Sequence, residues 1–191
     1  MPNAGSAFLA YFYFDFKDKG KKDSRALLSS LLDQLSDQSD QFRDVLRRMY
    51  SEHRDGSKRP HDDALLLCLK DMLTIARSVP IYLVIDALDE CPNDSGDVLS
   101  RSPRGKVLNV LEELVELRLP NLRFCFTSRP ELDIRAIIKP LASQEISLHE
   151  ESGQDRDINA YVTSVVQSVN NWRDDDKKMV VAKLTMNAGG M

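Results

Sequence analysis

The sequence lacks any apolar run that approaches the ~20 residues a membrane-spanning helix needs, so no membrane partner is expected. Met1–Ala10 has no basic stretch leading into an apolar one, the signature of a secretory leader. Cysteine is scarce. Cys68, Cys91 and Cys125 are odd in number and scattered, which argues against a disulfide framework and against a zinc site. An intracellular, cytoplasmic and reducing setting is the expectation. Lysine and arginine form no dominant block and the formal net charge is -4, so nucleic acid is not the expected partner. The few histidines, His53, His61 and His149, stand far apart in polar contexts, which leaves them surface or capping roles. There is no internal repeat and no low-complexity tract.

What is present is an ordinary globular balance: 191 residues, 42% hydrophobic and 29% charged, enough apolar material for a core. Ala7–Phe16 (AFLAYFYFDF) is an aromatic, apolar run that predicts a buried strand. No basic residues interleave it, so it is core and not a base-stacking platform. Lys17–Lys22 reads as a charged turn around Gly20. Ser24 is positioned to cap a helix whose stripe is Leu27, Leu28, Leu31, Leu32 and Leu35. A second helix carries Phe42, Val45, Leu46, Met49 and Tyr50 on one face. A third opens at Asp62 and Asp63 and runs to about Ser78.

Ile81–Ile85 (IYLVI) ends abruptly in Asp86, and such an unbroken run suits a parallel strand covered on both faces. A polar loop over Cys91–Gly105 leads to a helix over Lys106–Leu117. Leu122–Phe126 is a further strand, ending in Thr127, Ser128, Arg129 and Pro130. Ile134–Leu141 predicts a short helix and Glu145–Leu148 a last strand. Ile158, Tyr161, Val162, Val165, Val166 and Val169 give a helical stripe, and a final helix spans roughly Asp175–Met186 with acids at its start. Alternating strands and helices define an α/β fold with a mainly parallel sheet.

Two segments carry chemistry. In IYLVIDALDE a strand delivers Asp86 to its carboxyl end, where ligands bind in open α/β sheets. A carboxylate there can hold Mg²⁺, and Asp89 or Glu90 can orient or deprotonate a water attacking a phosphate. The plainer alternative is that these acids cap the loop or the next helix. In FCFTSRP, Arg129 can read a terminal phosphate through its planar fork, or pair with Asp86, Asp89 or Glu90 instead.

Together LAYFYFDF (Leu9–Phe16), LLSSLLDQL (Leu27–Leu35), YLVIDALDEC (Tyr82–Cys91), LPNLRFCFTSRPE (Leu119–Glu131) and ISLHEESGQDRDINAYV (Ile146–Val162) resemble the NACHT-type nucleoside-triphosphatase domains of the STAND class. Most of all they resemble the nephrocystin-type N-terminal modules of large fungal proteins. The resemblance implies a three-layer P-loop fold with helices on both faces of the sheet. It implies a core over residues 1–150 and the start of a following helical segment over 151–191. Asp86 resembles the Walker B aspartate that holds Mg²⁺, Glu90 and Asp89 the acidic pair that positions the hydrolytic water, and Arg129 the sensor at the end of the next strand. The implied cofactors are Mg²⁺ and ATP or GTP. The implied partners are other domains or chains of a larger signalling protein, or further copies in a nucleotide-governed self-association.

One element of that pattern is missing from these 191 residues: the phosphate-binding loop G-x-x-x-x-G-K-[ST] that relatives carry ahead of the LAYFYF strand. Gly5-Ser6 is not followed by a lysine, and Gly20-Lys21-Lys22 comes after the strand. Both ends are therefore expected to be cut, with the phosphate-loop strand missing from between the Leu122 and Glu145 strands. Two functions follow: an ATP- or GTP-dependent switch, or a non-catalytic interaction or scaffold module of a larger repeat-containing protein. A metal-dependent phosphohydrolase built on Asp86, Asp89 and Glu90 alone lacks a nucleophile and a further ligand set.

Overall fold

The structure, a computed structural model, describes residues 7–53, 59–76, 79–94, 102–147 and 154–188. The chain divides into two compact units, Met1–Ala142 and Ser143–Met191.

The first unit is a mixed α/β fold. Strand β1 (Phe8–Tyr13) leads through helices α1 (Ser24–Gln38), α2 (Asp40–Glu52) and α3 (Asp62–Ile75) to strand β2 (Ile81–Asp86). A short 3-10 turn (Leu88–Glu90) and helix α4 (Pro103–Val115) connect β2 to β3 (Leu122–Phe126), and α5 (Leu132–Leu141) follows. The sheet is parallel in the order β1-β2-β3, with Phe12 opposite Ile85 and Ile85 opposite Phe126. Parallel pairing needs long crossovers, and the helices provide them.

The α1 stripe expected from the leucine spacing is buried throughout, and Leu65, Leu69, Met72 and Leu73 of α3 join it. These helices lie in one core with Ile81, Leu83 and Ile85 of β2, and Phe8 packs its ring on Phe42 of α2 at 4.7 Å. The cap of α1 lies one residue earlier than expected. Asp23 accepts from the Ala26 N–H at 2.8 Å, while Ser24 is the first helical residue and donates to Asp62 at 2.8 Å. Asp62 also pairs with Arg25 at 2.7 Å, so the N-termini of α1 and α3 are tied together.

The covering of the sheet is uneven. Ile81, Leu83 and Ile85 are fully buried, yet Tyr82 on the opposite face is 46% exposed, as are Leu9 (49%), Tyr11 (56%) and Tyr13 (46%). The unbroken apolar runs predict cover on both sides; among the described residues only one side has it. The expected strand at Glu145–Leu148 is also absent over residues 145–147, and Leu148 lies outside the described residues. Helix α4 starts at Pro103, earlier than expected, because Ser102 accepts from the Gly105 N–H and proline suits the first helical position.

The outer edge of β1 is closed by two glutamines of α1. Gln38 accepts from Leu9 N–H at 3.0 Å and donates to Leu9 C=O at 2.6 Å. Gln34 does the same for Tyr11, at 3.1 and 2.7 Å. Four helical residues rise about 6 Å and two strand residues about 6.6 Å, so side chains four apart on α1 meet backbone groups two apart on β1. The amides stand in for a neighbouring strand and blunt an edge that invites pairing. The Gln34→Ala/Gln38→Ala double variant loses the four solvent-accessible bonds to β1, worth about 0.5 kcal/mol each. It should be less stable by about 2 kcal/mol and should scatter light increasingly with concentration. Unchanged denaturant unfolding and a monodisperse sample would show that β1 needs no cover.

The second unit holds helices α6 (Gln154–Gln167) and α7 (Asp174–Ala188), which pack on each other. Asp174, Asp175 and Asp176 open α7, as the sequence predicts. Of the expected α6 stripe only Val166 is buried; Tyr161 is 71% exposed.

Candidate functional site

The carboxyl ends of the three parallel strands bring the sequence-predicted residues to one sheet edge. β2 ends on exposed Asp86, and its Oδ1 accepts from the Thr127 hydroxyl at the end of β3. Thr127 is stitched further to β2: its N–H donates to Ile85 C=O at 3.0 Å, and its Oγ1 and C=O accept from Ala87 and Leu88 N–H at 3.0 and 3.1 Å. Ala87 adopts the left-handed region at φ 55° and ψ 48°. A non-glycine residue there is strained, and such strain collects at functional sites. It turns the chain from the strand into the 3-10 turn that presents Asp89 and Glu90.

The run Asp89-Glu90-Cys91 is spread over three different partners. The Asp89 carboxylate accepts from the Arg129 backbone N–H at 3.0 Å and pairs with Arg129 Nε at 3.5 Å. Glu90 Oε2 accepts from Phe16 N–H at 3.4 Å, in the loop after β1. Cys91 Sγ lies 3.3 Å from the Lys22 carbonyl of the same loop. The turn thus fastens the β1–α1 loop on one side and the end of β3 on the other. The pairing alternative for Arg129 is realised with Asp89, although its side chain remains 73% exposed. An ion pair with one partner in solvent contributes only about 0–1 kcal/mol, so the Arg129 side chain is held weakly by Asp89.

Asp86, Asp89 and Glu90 do not converge on one point. Among the described residues no three His, Cys, Asp or Glu side chains are grouped to hold a metal ion. A single carboxylate at a strand end still fits Mg²⁺ in its usual manner, where phosphate oxygens and waters complete the shell. Burial pushes the Cys91 thiol up to about 12 and the Cys68 thiol up to about 11. The exposed cysteine, Cys125, lies within β3.

Sequence reasoning missed two parts of this edge. Thr127 carries a side-chain bond to Asp86, and its signal was only its place after β3. Arg104, in the first turn of α4, is 5% exposed, and it fell in what reads as a polar loop. Burial lowers its pKa, but the bonds from Glu131 and Asp133 outweigh that and leave it raised. His53 has the expected capping role, its Nδ1 lying 2.8 Å from Met49 C=O, and His149 lies outside the described residues. Lys21 sits over the Tyr13 ring at 3.6 Å, and its N–H donates to Asp18 C=O at 3.0 Å across the turn that holds Gly20.

Fold and edge define an α/β module with an acidic turn and an arginine at the carboxyl end of a parallel sheet. The chain belongs to the family described as nephrocystin 3, N-terminal, whose pattern matches residues 2–129, from the segment before β1 to Arg129. No curated protein and no solved structure matches the chain. No helix among the described residues is long and apolar enough to cross a membrane.

Proposed function

We propose that this chain supplies the metal- and phosphate-facing half of a NACHT-type nucleotide-binding module and does not turn over nucleotide by itself. The observation that carries the reading is the gathering of Asp86, the Asp89–Glu90 turn and Arg129 at the carboxyl edge of one parallel sheet. In this reading Asp86 takes Mg²⁺, which brings a nucleoside triphosphate with it. Glu90, with Asp89 beside it, positions water, and Arg129 reads the terminal phosphate after leaving Asp89. The resemblance to cytoplasmic signalling ATPases of fungal type supports ATP or GTP as the nucleotide and self-association as the output. Core residues extend to about 150 in this reading, and residues 151–191 begin the helical segment that follows.

Turnover needs the backbone amides and lysine of a phosphate loop, and the 191 residues contain none. Purified chain with Mg-ATP or Mg-GTP should therefore release phosphate no faster than an Asp86→Asn control. A clear excess over that control overturns the non-catalytic reading.

A second reading, a non-catalytic interaction module, draws on the open sheet face. Leu9, Tyr11, Tyr13 and Val84 line a shallow trough of about 380 Å³ that reaches Asp86. Tight Mg-nucleotide binding that Asp86→Asn abolishes would favour the first reading over this one.

A further inference from the structure

Arg104 is a charged side chain in a buried position. It occupies the first turn of α4, where the helix dipole disfavours a cation, and it is withdrawn from water, which is costly for any ion. Its five donors account for its being there. Nε donates to Cys91 C=O at 2.8 Å and Nη2 to Asp89 C=O at 2.6 Å. Nη1 is paired with Glu131, and with Asp133 at 3.2 Å. One end of the planar fork therefore grips the backbone of the acidic turn, and the other grips the foot of α5.

The contacts form a closed circuit. Asp89 is held through its carbonyl by Arg104 and through its carboxylate by Arg129. Arg129 is joined back to Glu131 by a tight turn, with Glu131 N–H donating to Arg129 C=O at 2.8 Å. Glu131 in turn holds Arg104. Lysine has a single ammonium and cannot span these four partners, so the geometry asks for a guanidinium.

We propose that Arg104 is the positioning residue of this site: it clamps the acidic turn to the foot of α5, so that Asp89, Glu90 and Arg129 are presented as one preformed unit. The inference rests on the reading of that turn as a nucleotide site and assigns Arg104 no contact with ligand. It makes the loosely paired Arg129 side chain the moving part and the turn beneath it the fixed part.

The test uses the full chain without nucleotide, so its failure and the failure of the nucleotide reading are separable. The Arg129 amide proton, bonded to the Asp89 carboxylate, is followed in a proton–nitrogen correlation spectrum of the folded protein, beside the unfolding midpoint. Arg104→Met should shift this amide upfield by more than any amide of α1 or α3. The Glu131→Ala/Asp133→Ala double variant, which removes both acceptors and releases the clamp from the other side, should shift it in the same direction. Where Arg104→Met does not fold, Arg104→Lys keeps a cation at the position and should give the same direction of shift. An Arg129 amide that stays in place in the folded variants, even with a lowered midpoint, overturns the proposal and leaves Arg104 a merely structural residue.

Discussion

With a phosphate-binding loop supplied ahead of β1, Glu90→Gln should retain nucleotide binding and lose turnover by ~10²–10⁴-fold, the range set by acid–base or water-positioning effects. The substitution suits the local structure. Glu90 accepts one backbone bond, from Phe16 N–H, and a glutamine carbonyl can accept it equally well. The turn should stay in place while the negative charge near the attacking water is removed. Binding affinity and single-turnover phosphate release, measured on the same variant, separate the two effects. Equal turnover in Glu90→Gln would move the role to Asp89. That residue already has a competing occupation in its ion pair with Arg129, which is the reason to place Glu90 first.

The second large effect is on stability. Leu83→Ala should cost about 2–5 kcal/mol, the range for a leucine removed from a core that cannot collapse around the gap. Leu83 is fully buried at the centre of the middle strand, opposite Ala10 on one side and Phe124 on the other. A domain is stable by only ~5–15 kcal/mol in total, and here one sheet face is open and β3 has no further strand beside it among the described residues. The variant should unfold at much lower denaturant, with dye binding to exposed apolar surface. Its neighbour provides the control. Tyr82 points to the open face, so Tyr82→Ala should forfeit only cross-strand contacts with Leu9 and Arg123, about 0.2–1 kcal/mol. Equal losses from the two substitutions would mean that both faces are covered in solution.

The one-sided sheet also explains a misreading. In a strand, alternate residues face opposite sides, and polar residues ordinarily mark the side that meets water. Leu9, Tyr11, Tyr13 and Tyr82 are apolar or aromatic on the side that is open here, so nothing in the residue pattern distinguishes it from a buried face. The Glu145 segment misled in another way: a few apolar residues permit a strand, but a strand exists only where a neighbour pairs with it.

The sequence by itself determined the helices and strands of residues 8–141 and their order, because periodicity and capping act between residues a few positions apart. The leucine stripe of α1, the abrupt end of β2 at Asp86 and the end of β3 before Thr127 are all local signals. By themselves they also placed Asp86, Asp89, Glu90 and Arg129 at strand ends. Only the tertiary structure decided which groups meet. Gln34 and Gln38 closing the edge of β1, Thr127 bonding Asp86, Arg129 engaging Asp89 and Arg104 clamping the acidic turn join segments that are distant in sequence. Such contacts depend on crossover lengths, register and helix rotation, which are set when the apolar faces pack together and leave no mark in the residues on either side of the bond.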